Sequence, residues 1–167
     1  LSVEQEIVTH TSRNIVARIE GTDKAEEILT LTAHYDSVPE GPGAYDNMSG
    51  AAIIMELCRY FHANRQRKTI EFIWFGAEEK GLLGSQNYIK IHENELSAHR
   101  FNMNVDLAGQ LVGGTVAGVT GDASVCNMIT YMAHEIGIGM STKNQIWGSD
   151  SNTFAWKGIP AMTLNRD

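Results

Sequence analysis

Thr69-Ile70-Glu71-Phe72-Ile73-Trp74-Phe75, followed by Gly76-Ala77-Glu78-Glu79, is the stretch that decides the fold class. Its run is apolar at both odd and even positions, the pattern of a central strand covered on both faces. It ends in two adjacent carboxylates, which the strand delivers to one rim of a sheet. Neighbouring carboxylates stay ionised together at low cost only where a cation or a proton takes up the charge. His34, Asp46 and Asp106 also follow or close apolar runs, so the same rim can gather them.

Working outward, Glu27-Ile28-Leu29-Thr30-Leu31-Thr32-Ala33 is a second buried-strand pattern, closed by His34-Tyr35-Asp36. Residues 3–11 and 14–20 are expected to be extended, with a turn at Gly21-Thr22-Asp23. Pro39, Gly41, Pro42 and Gly43 mark a loop. A helix is expected from Asn47 to Ser49 onward, because Ala51, Ile54, Met55, Cys58, Phe61 and His62 recur at helical spacing. A further helix is expected over 85–96 with Ser85 as N-cap, and strands over 101–107 and 113–120. Asp122 caps a helix whose Val125, Met128, Ile129, Met132 and Ile136 share a face. Residues 145–147 read as extended, 152–156 as a short helix and 160–164 as a last strand. Strands alternating with helices predict an α/β three-layer sandwich with a mixed, mostly parallel central sheet. In such sheets ligands bind beyond the carboxyl ends of the strands.

A chain of 167 residues reads as one domain with a full core. The net charge of -7 argues against nucleic acid or an anionic membrane as partner, and suits a site that attracts cations. Cys58 and Cys126 are too few for a disulfide framework, and Cys58 falls on an apolar helix face as a buried thiol. No apolar run approaches the ~20 residues of a membrane span, and no signal peptide opens the sequence. A soluble protein, cytoplasmic or secreted, is the expectation.

His34 is either a structural histidine or a metal ligand. As a ligand it would give one ring nitrogen to the ion, while Asp36, on the same side of an extended segment, accepts the other ring N–H. Asp46, at a helix start, is either an N-cap or a ligand. Asp106 closes an apolar strand, where an unpaired charge is costly. Oxygen and imidazole donors without thiolate point to zinc, with manganese or cobalt as alternatives. The surplus of acids suggests two ions, with one carboxylate left as the base.

His34-Tyr35-Asp36-Ser37, Ala44-Tyr45-Asp46-Asn47-Met48-Ser49-Gly50, Glu78-Glu79-Lys80-Gly81-Leu82-Leu83-Gly84-Ser85 and Asn104-Val105-Asp106-Leu107-Ala108-Gly109 occur in this order. They are followed by Gly148-Ser149-Asp150 and Gly158-Ile159-Pro160-Ala161. In these blocks the chain resembles the di-zinc aminopeptidases of peptidase clan MH, family M-28. The resemblance implies that Asp46 bridges two zinc ions and that His34 and Asp106 complete the first site. It assigns Glu79 to the second ion and the general-base role to Glu78, with Asp36 supporting His34 and a cis Asp46-Asn47 peptide. The implied reaction is hydrolysis of the N-terminal peptide bond of a peptide with a free N-terminus, using a two-metal-activated water.

The resemblance also implies a second-site histidine after the last strand, yet no histidine follows His134. The expectation is therefore a single metallopeptidase catalytic domain over 1–167, incomplete at its C-terminus and lacking the final helix. Its second zinc site would keep only Asp46 and Glu79, which puts activity at risk. His10, His62, His92 and His99 are expected to be solvated. Two rivals remain. One is a single-zinc glutaminyl cyclase-like enzyme, a class that generally lacks a histidine at the place of His34. The other is a non-catalytic binding domain of the same fold.

Overall fold

Among residues 3–166, which the computed structural model describes, seven strands build one mixed sheet. They are β1 (Ile15–Ile19), β2 (Lys24–His34), β3 (Lys68–Phe75), β4 (His99–Val105), β5 (Thr115–Thr120), β6 (Met140–Asn144) and β7 (Ala161–Arg166). The order across the sheet is β1-β3-β2-β4-β7-β5-β6. The β3-β2-β4-β7 centre and the β5-β6 pair are parallel, while β1 on β3 and β5 on β7 are antiparallel. The helices are α1 (Met48–Ala63), α2 (Leu83–Ile91), α3 (Ala123–Glu135) and α4 (Ser151–Ala155), with a 3-10 segment at Glu93–Ala98.

The period of two along a strand sorts each side chain to one face. From β3, Ile70, Phe72 and Trp74 face α1, where they meet Ile54, Leu57, Cys58 and Phe61 together with Leu31, Ala33 and Val105. Ile73 and Phe75 face the other way and pack on Tyr88, Ile89, Leu96, Phe154 and Ile159. This gives the β3 run its reading: both faces are covered, and Phe72, Ile73 and Phe75 have no exposed surface. α3 lies over β5 and β6, with Val125, Cys126 and Ile129 packed against Ala117, Val119 and Met162. The architecture is the expected α/β sandwich.

Several local expectations shift. Residues 3–14 take no regular structure, since β1 already occupies the sheet edge beside β3, and Ile7 is 91% exposed. The expected 85–96 helix breaks at His92 into α2 and the 3-10 segment, and its cap is Leu82 rather than Ser85, which is buried inside the first turn. β6 lies at 140–144, ahead of the expected 145–147, because Met-Ser-Thr-Lys-Asn is a polar edge strand without an apolar signature. On α3, Met128, Met132 and Ile136 are exposed despite their spacing, leaving Val125, Ile129 and Ala133 to make the contact. His99 is buried, not solvated: its Nδ1 lies 2.6 Å from Thr30 Oγ1, and burial holds its pKa below the ordinary range.

Candidate metal centre

β2 and β4 are adjacent parallel strands, so their carboxyl ends open on the same rim. Each carries a polar residue at every second position on the face toward α4. On β2 these are Thr30, Thr32 and His34; on β4 and just beyond, Asn102, Asn104 and Asp106. His34 and Asp106 are thus the terminal members of two polar rows, 1% and 7% exposed. His34 Nε2 stands 3.0 Å from Asp46 Oδ1 and 3.3 Å from Asp106 Oδ1. One donor atom each from His34, Glu78 and Asp106 lies within 4.8 Å of the others.

Two loops are pinned to this rim. The loop carrying Asp46 is held by Asn47, whose amide donates to Val105 O at 2.9 Å while its Oδ1 accepts from Gly50 N at 3.0 Å. The Asp46-Asn47 peptide is cis. Tyr45 donates to Leu107 O at 2.9 Å. The loop carrying Glu78 and Glu79 lies between Ala77 and Leu82, both with left-handed backbone at φ 60° and 59°. The Asp36 carboxylate accepts from both acidic residues' amides, Glu78 N at 3.0 Å and Glu79 N at 3.2 Å. This revises the expected role of Asp36. The His34 Nδ1 proton goes to the Asp36 main-chain oxygen at 3.0 Å, whereas the carboxylate stands at 3.6 Å and orders the acid pair instead. The outcome for His34 is the same: Nδ1 is engaged and Nε2 faces the acids.

Glycines set how closely the acid loop approaches α2. A Cβ on Gly84 would lie 2.3 Å from Gly76 O and 2.6 Å from Asn14 Oδ1. Asn14 bridges these two glycines, donating to Gly84 O and accepting from Gly76 N. Gly84→Ala is therefore expected to force backbone apart, costing about 1–3 kcal/mol in urea denaturation. A variant with an unchanged midpoint would contradict this packing.

The electrostatics are those of crowded acids. Burial pushes Glu78 up to about 8; the charges of Asp150, Asp106 and Glu79 add to the rise and His34 opposes it. Burial works against the charged form of His34, but Asp106, 3.3 Å from its Nε2, with the charges of Glu78 and Asp150, raises it to about 10. Asp46 and Glu79 are both raised, burial first and neighbouring carboxylates next. Asp106 Oδ1 and both oxygens of Asp150 are buried without a hydrogen-bond partner. An orphaned carboxylate oxygen of Asp106 beside the His34 imidazole fits a divalent cation, and nitrogen and oxygen donors without sulfur suit zinc.

Asp150, wholly buried and near enough for its charge to act on His34 and Glu78, stands in the Gly148-Ser149-Asp150 motif without an expected role; burial pushes it up to about 7. Ser149 and Asn104 were likewise unassigned. The alternation Thr30-x-Thr32-x-His34 and Asn102-x-Asn104-x-Asp106 was the signal for this polar face.

A fold of this kind with an acid-rich rim defines an α/β protein with a candidate metal centre at the carboxyl ends of its strands. The sequence model of Peptidase family M28 matches residues 14–167, and the chain belongs to that family. Aminopeptidase YwaD of Bacillus subtilis is 45% identical over 101 residues, covering 59% of this chain and 22% of that protein. Leucine aminopeptidase 2 of Trichophyton rubrum is 30% identical over 166 residues, covering 92% of this chain and 33% of that protein. Among solved structures, BSAP, a zinc aminopeptidase from Bacillus subtilis, superposes with a TM-score of 0.82 at 33% identity, covering 92% of this chain and 39% of that one. The chain thus spans only about a fifth to two fifths of these relatives. No helix among the described residues is long and apolar enough to cross a membrane.

Proposed function

We propose that this chain carries the catalytic centre of a zinc-dependent aminopeptidase acting on peptides with a free N-terminus. The observation that carries the reading is the meeting of His34, Glu78 and Asp106 within 4.8 Å at one sheet rim, in a chain of the M28 family. His34, Asp46 and Asp106 would hold one zinc; Asp46 and Glu79 are the ligands these residues supply to a second. When bound, zinc supplies Lewis acidity and a water that ionises near neutral pH. Glu78 accepts the water proton at its carboxylate and hands it to the leaving amine. Asp36 keeps Glu78 and Glu79 in place through their amides and fixes the His34 ring through its own carbonyl. The uncompensated acids of the rim would also attract the substrate's α-ammonium group.

The test is release of free amino acid from aminoacyl-anilides with zinc titrated in, run on the 167-residue chain and on any longer form that contains it. Hydrolysis that rises with zinc supports the reading. Cyclisation of an N-terminal glutamine without amino-acid release would favour the cyclase rival, against which His34 counts. Zinc binding without either reaction would leave the binding-domain rival.

Protons give an independent check. Without metal, His34 holds its proton up to about 10 and Glu78 up to about 8. A ligating imidazole must be neutral and the carboxylates ionised, so zinc displaces protons and its affinity falls as the solution becomes more acidic. Calorimetry at pH 7 in buffers of different ionisation enthalpy is expected to show about one to two protons released per zinc. A heat independent of buffer would mean that the ion binds elsewhere.

A further inference from the structure

Beneath the metal centre runs a buried row of directed hydrogen bonds that nothing in the ligand assignment uses. Thr32 Oγ1 donates to Asn104 Oδ1 at 2.8 Å. Asn104 Nδ2 donates to Ser149 Oγ at 2.8 Å and approaches Thr163 Oγ1 at 3.4 Å. Ser149 Oγ donates to Asp106 Oδ2 at 2.6 Å. Thr32, Asn104 and Ser149 are at most 1% exposed, so water does not compete for these bonds.

We propose that Asn104 is a positioning residue for the metal centre, acting through Ser149 to make Asp106 present Oδ1 to the cation; this rests on the zinc-site reading above. The direction of each bond carries the inference. A serine hydroxyl has one proton and two lone pairs. The Asn104 amide fills the acceptor side of Ser149, which sends the single proton to Asp106 Oδ2. Thr32 supplies the reason the amide is not flipped: its hydroxyl donates to Oδ1 and leaves Nδ2 facing Ser149. With Oδ2 engaged, the oxygen that remains is Oδ1, which has no hydrogen bond of its own and stands 3.3 Å from His34 Nε2. The row therefore selects which carboxylate oxygen, and which lone pairs, face the ion.

The experiment is a double-mutant cycle read by zinc affinity, measured by competition with a chromophoric chelator, and by the absorption spectrum of the cobalt-loaded protein. Asn104→Asp replaces the donor by an acceptor of the same shape, so that Asp106 loses sole claim to the Ser149 proton. It is expected to weaken zinc binding by roughly 10–100-fold and to shift the cobalt bands. In a Ser149→Ala background the same substitution is expected to change affinity by less than about threefold, because the route to Asp106 is already cut. Thr32→Val, which adds no charge, is expected to act in the same direction with smaller size. It also keeps the proposal open to refutation if Asn104→Asp does not fold. Folded Asn104 and Thr32 variants with parental affinity and spectrum would overturn it. So would an Asn104→Asp effect that persists in full without Ser149, the result a purely structural role would give. If the parent chain binds no zinc, the zinc-site reading itself fails and this inference with it.

Discussion

Glu78→Gln is expected to lower kcat by about 10³-fold, some 4 kcal/mol of transition-state stabilisation, while KM and zinc content stay near parental values. The substitution keeps the shape of the side chain and removes only its ability to take a proton. Glu78 is suited to that task by its place: half-buried at the rim, with its amide fixed on Asp36 and its pKa pushed up to about 8 before any cation arrives. A bound cation and the ionised acids pull this value in opposite directions, and a base poised near neutrality is the outcome that proton transfer needs. Steady-state kinetics alongside metal analysis separate two roles. A fall in turnover with full zinc marks a base. A fall in zinc stoichiometry marks a ligand, which the closeness of Glu78 to His34 and Asp106 makes a real alternative outcome. Near-full activity would remove Glu78 from the chemistry altogether.

Phe75→Ala is expected to produce the largest loss of stability, about 3–5 kcal/mol. Phe75 closes β3 with no exposed surface, its ring centroid 6.0 Å from that of Tyr88 and 6.5 Å from that of Phe154. It therefore joins the sheet to α2 and α4 at once, and the neighbours cannot all close on the space it leaves. For a domain of this size the loss corresponds to a fall in Tm of roughly 10 °C, readable by circular dichroism. Phe75→Leu, which refills most of the volume, is expected to recover more than half of it. Equal melting of Phe75→Ala and the parent would mean that this cluster is not where the sheet and helices are held together.

Much of this was legible in the sequence, for identifiable reasons. The β2 and β3 runs are long, apolar and bounded by polar residues, and burial on both faces allows few other readings. Asp122 announced α3, and it does accept from Ser124 N. The rim position of His34 and Asp106 followed from strand ends alone. What escaped was set by partners distant in sequence. Nothing local shows that residues 3–14 lack a sheet edge, or that Met128 and Met132 turn outward while Ile129 turns in. β6 escaped because an edge strand needs no apolar row. Asn104, Ser149 and Asp150 escaped because buried polar residues look like surface residues until the face that covers them is known.

The carboxylate of Asp36 has a consequence for how such a protein can diverge. By grasping the amides of Glu78 and Glu79 from the end of the neighbouring strand, it welds imidazole and acid pair into one unit. In the loop that follows β4, Leu111 and Val112 stand largely in solvent. Change can accumulate in such exposed loops, while the spacing between acid pair and imidazole stays as the weld sets it.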